Sequence, residues 1–187
     1  DHEAESFCSM LNGPFLGLHP GSVWPTKRWP AVYFAEIGRK AAEQGAHDLL
    51  FAGPGEEEIA AEVYDDIKRA LPSNKRPLLH DLSGQLSLPV LAAYLKRLSC
   101  YLTNDSGPMH LAWAQHVPVA ALFGPTVKKL GFSPRGPSSS VHEINLDCRP
   151  CGLHGPRECP KKHHHCMTRL LPEAVWPDVK AKLFAKI

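Results

Sequence analysis

Short apolar runs alternate with helix-like patterns along this chain, joined by Gly- and Pro-rich turns. That alternation leaves few folds open. Apolar runs predict strands over 15–19, 48–52, 77–80, 100–103, 119–123 and 141–144. Between them, apolar residues at helical spacing predict helices over 30–44, 56–71, 88–98 and 107–116, with a last one from Pro172 to the end. Gly45 sits where the first of these helices should stop, and Glu56, Glu57 and Glu58 place acids where a helix macrodipole favours them. Strand-helix-strand repetition with short connections predicts an α/β domain, a Rossmann-like parallel sheet with helices on both faces. Right-handed crossovers then gather every strand-to-helix loop at one edge of the sheet, where such folds bind ligands.

Composition removes several other classes. Of the 187 residues, 43% are hydrophobic and 21% charged, which is ordinary for a folded soluble domain and excludes disordered and fibrous chains. The net charge of +2 is too mild for a nucleic-acid footprint. No apolar run reaches the roughly 18–20 residues of a membrane span. The chain opens on Asp1 rather than Met, which reads as processing or as a piece of a larger protein. Two cysteines, Cys8 and Cys100, stand alone, and four crowd into the Cys/His-rich stretch 145–168, so a reducing compartment fits better than a disulfide framework.

The strand-end loops hold the chemistry. After the first strand, Gly21 and Ser22 permit close backbone approach, and Thr26, Lys27 and Arg28 add a hydroxyl and two cations just before a helix. Lysine, hydroxyl and free amides together can hold a diphosphate without a metal, although the spacing is not that of a Walker loop. After the fourth strand, Thr103-Asn-Asp-Ser-Gly-Pro-Met-His110 offers Asp105 or Ser106 as a cap, Pro108 in the first turn, and amides pointing out of the sheet edge. His110 lies one turn further in. After the second strand, Gly53-Pro-Gly-Glu56 places a carboxylate where a ribose diol could bond to it. Each loop taken alone is also what an ordinary surface turn or a capped helix start would look like.

Together, Pro20-Gly-Ser, Lys27-Arg-Trp-Pro30, Gly53-Pro-Gly-Glu56, Thr103-Asn-Asp-Ser-Gly-Pro-Met-His110 and Phe123-Gly-Pro-Thr126 resemble, in this order, the lipopolysaccharide heptosyltransferases of glycosyltransferase family 9. The resemblance implies the C-terminal, donor-binding half of a glycosyltransferase-B fold over 1–187, with the N-terminal acceptor domain absent. It implies ADP-heptose as donor substrate, with no cofactor required, and inverting transfer of heptose to a lipid A–Kdo or heptosylated inner-core acceptor. Ser22, Thr26 and Lys27 match positions around the diphosphate, and Lys27 would stabilise it as it leaves. Glu56 matches a ribose-binding carboxylate, and Leu86 a residue whose backbone meets the adenine. Asp105, Ser106, Gly107 and His110 match the loop around the phosphates and heptose. The general base would belong to the missing domain, which argues against His110 in that role and makes this chain inactive alone. The implied location is the cytoplasm, at the inner face of the inner membrane.

Other readings stay open on the residues. Cys148 and Cys151 have the spacing of half a zinc knuckle, and with Cys159 and Cys166 they form a four-thiolate alternative to plain reduced cysteines. A nucleotide-sugar epimerase of related architecture, or a non-catalytic nucleotide-sugar-binding module, would use similar loops.

Overall fold

The computed structural model describes residues 2–185. Six strands, β1 (Phe15–His19), β2 (His47–Leu50), β3 (Leu79–Asp81), β4 (Cys100–Asn104), β5 (Val119–Leu122) and β6 (Ser140–His142), form one sheet in the order β3-β2-β1-β4-β5-β6. All five neighbouring pairs are parallel. The chain steps outward from β1 to β3, then returns to the centre and steps the other way from β4. The crevice of such a sheet therefore lies outside the carboxyl ends of β1 and β4.

The helices are α1 (His2–Ser9), α2 (Ala31–Glu43), α3 (Glu57–Ala70), α4 (Leu88–Leu95), α5 (Gly107–Ala114), α6 (His165–Thr168) and α7 (Pro172–Leu183). The strand period of two divides the core into two layers. Leu16, Leu18, Leu50, Leu102 and Leu122 face α2, α3 and α7. Phe15, Leu49, Phe51, Tyr101 and Val119 face α1, α4 and α5. Both faces are covered, so the strands read as continuous apolar runs rather than alternating ones.

All six expected strands are present, with ends displaced by no more than two residues. The third begins later than expected because Pro77 lies in a 3₁₀ turn, Ser73–Leu78, that delivers the chain into β3. α2 ends at Glu43, and Gly45, at φ +92°, takes the left-handed conformation that turns the chain toward β2. The last helix stops at Leu183, and positions 186–187 of the expected span lie outside the described residues. Three features were not expected. α1 precedes the first strand and packs beside α4. α6 interrupts the loop expected over 145–168. Asp48 is fully buried in the middle of β2, flanked in register by Leu16 and Leu79. Neither of its carboxyl oxygens has a hydrogen-bond partner among the described residues, and burial pushes its pKa well above the carboxylate range.

Candidate functional site

The loops after β1, β2 and β4 meet in an open cleft of about 270 Å³ at the carboxyl edge of the sheet. Its lining includes Ser22 and Lys27 from the first loop, Glu56 from the second, and Asp105, Ser106, Gly107 and His110 from the third. Seven of the nine residues singled out in the sequence thus share one cavity.

Local order in the first loop comes from backbone clamps. Asn104 at the end of β4 donates from Nδ2 to the carbonyls of Pro20 (2.8 Å) and Gly21 (3.2 Å), and its Oδ1 accepts the amide of Trp29 at 3.0 Å. Trp29 is fully buried and donates its indole N–H to the Leu170 carbonyl at 2.8 Å. The Arg28 guanidinium donates to the Ser22 carbonyl at 2.8 Å. In the Lys-Arg-Trp-Pro run, then, Arg28 and Trp29 fasten the loop while Lys27 lies on the cleft.

Lys27 Nζ bonds to Asp105 Oδ2 at 2.6 Å, with both side chains nearly buried. The same oxygen accepts the Thr126 hydroxyl at 2.7 Å. Asp105 therefore holds the ammonium in place and carries the Phe-Gly-Pro-Thr run into the site. This corrects the expectation that Asp105 or Ser106 caps the following helix. Ser106 occupies the N-cap position of α5 with extended backbone, but neither side chain closes a capping bond. Gly107 begins the helix and Pro108, which has no N–H, follows, so with no side-chain cap the Gly107 and Met109 amides are left without a helical partner at the cleft end.

Glu56 stands at the N-cap of α3. Its Oε2 accepts from His19 Nε2 at 3.0 Å and from the Gly53 amide at 3.1 Å. Burial raises its pKa, but the His19 bond, the Gly53 amide and the charge of Arg28 outweigh that and hold it below the usual range. Gly21 suits this place, because a Cβ on it would run into the Glu56 carboxyl group and lie 2.9 Å from the Glu56 Cβ. The close approach that the glycine permits is that of Glu56.

Two expected residues lie elsewhere. The Thr26 hydroxyl donates to the Pro156 carbonyl, and Thr26 lines a separate surface depression with Cys159 and His164. Thr26 therefore lies outside the cleft that Lys27 lines, since the 3₁₀ turn Pro25–Lys27 sends successive side chains to different sides. Leu86 does not line the cleft, and its half-buried side chain packs against the core beneath α4 and α5. An apolar groove of about 540 Å³, formed by Leu88, Pro89, Ala92, Gly107, Pro108 and Leu111, runs between the starts of those two helices. It shares Gly107 and Pro108 with the cleft. The far wall of the cleft, Phe132, Leu153 and His154, carried no sequence signal, because loop residues distant in the chain show no periodicity.

All six cysteines are free thiols, and Cys166 is buried in the core, where burial pushes it up to about 11. Among the described residues no group of three or more His, Cys, Asp or Glu side chains is placed to hold a metal ion, so the four-thiolate zinc alternative finds no ligand set. The segment instead braces the cation loop, with His164 Nε2 2.7 Å from the Thr26 carbonyl. No helix among the described residues is long and apolar enough to cross a membrane.

The fold is one Rossmann-like half of a glycosyltransferase-B structure. It superimposes on Escherichia coli ADP-heptose lps heptosyltransferase II with a TM-score of 0.76 at 24% identity, covering 98% of this chain and 51% of that one. Against the glycosyl transferase family 9 protein of Veillonella parvula the TM-score is 0.77 at 25% identity, over 99% and 51%. In sequence, the family described as glycosyltransferase family 9 (heptosyltransferase) matches residues 1–163, and the chain belongs to it. Lipooligosaccharide heptosyltransferase 2 of Campylobacter jejuni is 35% identical over 176 residues, 91% of this chain and 52% of its own length. Lipopolysaccharide heptosyltransferase 2 of E. coli is 27% identical over 185 residues, 97% and 50%. The chain thus spans about half the length of the curated relatives it matches. Membership sets aside the epimerase alternative.

Proposed function

We propose that this chain is the donor-binding half of a lipopolysaccharide heptosyltransferase and holds ADP-heptose in the cleft described above. The observation that carries this is the meeting of Ser22, Lys27, Glu56 and the Asp105–His110 turn, drawn from three separate loops, in one cavity. The diphosphate lies against the Ser22 hydroxyl, the Lys27 ammonium and the first amides of α5, which are fixed before the ligand arrives. Such preorganised donors stabilise negative charge as it grows on the departing ADP. Glu56 accepts hydrogen bonds from the ribose diol. The apolar groove between α4 and α5, beside the Leu86 segment, gives a purine a flat surface. The heptose lies toward His110, and an inner-core lipid A–Kdo or heptosylated hydroxyl attacks its anomeric carbon with inversion. The base that takes the proton from that hydroxyl, and the acceptor surface, belong to the other half of the enzyme, which works in the cytoplasm against the inner membrane.

E. coli heptosyltransferase WaaC, solved with ADP, shares the fold at a TM-score of 0.65 and 21% identity, which supports the architecture and leaves the ligand to be tested. The test is titration calorimetry with ADP, UDP and GDP. ADP is expected to bind most tightly, and equal or absent binding of the three overturns the reading. An assay with ADP-heptose and heptose-deficient lipopolysaccharide should show no transfer until a separately expressed acceptor half is added. Transfer by the chain alone would place the base within it. ADP binding with no transfer even after that addition would leave a binding module.

A further inference from the structure

Behind Glu56, His19 at the end of β1 and Tyr101 of β4 form a buried polar pair with no ligand-contacting role in the scheme above. Tyr101 Oη lies 2.9 Å from His19 Nδ1, and His19 Nε2 lies 3.0 Å from Glu56 Oε2. Tyr101 is fully buried and His19 is 2% exposed, whereas Glu56 reaches the cleft. We infer that His19 and Tyr101 are positioning residues that aim the Glu56 carboxylate at the ribose diol of the donor, and so set the preference for a ribonucleotide. This rests on the donor-binding reading of the cleft.

The direction of these hydrogen bonds follows from which groups can give a proton. Burial raises the Tyr101 phenol far above its ordinary range, so it keeps its proton and donates to His19 Nδ1. His19 must then carry its hydrogen on Nε2, the nitrogen facing Glu56, and donates it to Oε2. The Gly53 amide fills a second acceptor site on the same oxygen at 3.1 Å. With Oε2 satisfied by two protein donors and pressed over Gly21, the carboxylate cannot rotate freely, and Oε1 is presented to the ligand. A ligand hydroxyl then meets an acceptor that is already oriented, so less side-chain freedom is lost on binding.

The test compares ADP with 2′,3′-dideoxy-ADP by calorimetry on the 187-residue chain and three variants. The unaltered chain should prefer ADP. His19→Phe should weaken ADP by about tenfold and leave the dideoxy analogue within about twofold, since a hydrogen bond to a charged group is worth roughly that factor or more. His19→Gln, whose amide N–H can reach Glu56, should keep the preference. Tyr101→Phe, which removes one hydroxyl and frees the imidazole tautomer, should reduce it by a few fold and tests the inference even if His19→Phe fails to fold. A merely structural role for His19 would weaken both nucleotides alike. ADP binding with an unchanged ratio in His19→Phe and Tyr101→Phe overturns this inference alone. No ADP binding by the unaltered chain overturns the donor reading and this inference with it.

Discussion

Lys27→Met is the most instructive perturbation, because Lys27 is the counter-ion of Asp105 in the structure and the diphosphate contact in the proposed function, and one variant cannot separate the two. Methionine keeps most of the buried stem and removes the ammonium, leaving the Asp105 carboxylate at 5% side-chain exposure with Thr126. Removing one partner of a buried ion pair costs about 3–5 kcal/mol, because the other charge remains in the interior. For a domain of this size each kcal/mol shifts the melting midpoint by roughly 2–4 °C, so a fall of about 6–20 °C is expected. The double variant Lys27→Met/Asp105→Asn removes both charges and leaves an amide oxygen for the Thr126 hydroxyl. It should recover to within about 1–2 kcal/mol of the unaltered chain, since exchanging a whole buried pair for neutral groups is often close to neutral. Its affinity for ADP should still fall by about 10- to 150-fold, the loss of one charge-assisted hydrogen bond of roughly 1.5–3 kcal/mol. Scanning calorimetry reads the first quantity and titration calorimetry the second. A double variant that is stable and binds ADP normally would refute the diphosphate role and leave Lys27 as the counter-ion of Asp105. A single variant that melts with the unaltered chain would refute the buried-pair argument.

Asp48→Val should stabilise the chain at pH 7 by about 2 kcal/mol, or roughly 4–8 °C in a melt, because it removes an unpartnered buried carboxyl from a row of apolar strand residues. Asp48 has a raised folded-state pKa, so its penalty grows as pH rises above the unfolded carboxyl value; the gain should shrink toward pH 4, and a gain that grows toward acid would refute the assignment. His80 behaves in the opposite sense. Burial, and then its neighbour His47, push it down to about 4, so the fold holds it neutral and loses stability as pH falls from about 6.5 toward 4. Melts of His80→Gln should be less acid-sensitive than those of the unaltered chain across that window.

The strands were legible because both faces of the sheet are covered, which makes each strand an unbroken apolar run that Gly or Pro brackets. The loop from Thr103 to His110 was legible for a related reason, since polar and small residues pressed between a buried strand and a helix have few tasks other than binding or capping. Its partners were not legible. Asp105 reads from the sequence as a cap, or as a residue that orients its loop, and what no local pattern reveals is that it does so through Lys27, 78 residues away in the chain, and Thr126, 21 away. Thr26 was placed with its neighbours at the cleft, but a 3₁₀ turn reverses its side chain toward Pro156, 130 residues on. His19 reads from the sequence as the end of a strand, and only the pairing of β1 with β4, which sets Tyr101 opposite Gly17, brings the phenol within reach of its ring. What escaped reading were long-range pairs, and no local period encodes those.

The fastening of Trp29 has a consequence for how the chain acquires its cleft. The indole bond to Leu170 joins residues 141 apart, and the His164 bond to Thr26 joins residues 138 apart. Contacts of such separation carry the loop-closure cost of nearly the whole chain, whereas the α2–α3 and β1–β2 contacts are local. The sheet with α2, α3, α4 and α5 can therefore assemble while the loop that carries Lys27 is still unfastened from behind. Asp105 and Asn104 hold the cleft side of the loop, and its back is fastened only after the segment around α6 has docked behind it. A ribosome must thus release almost the entire domain before the loop that carries Lys27 is fastened from behind.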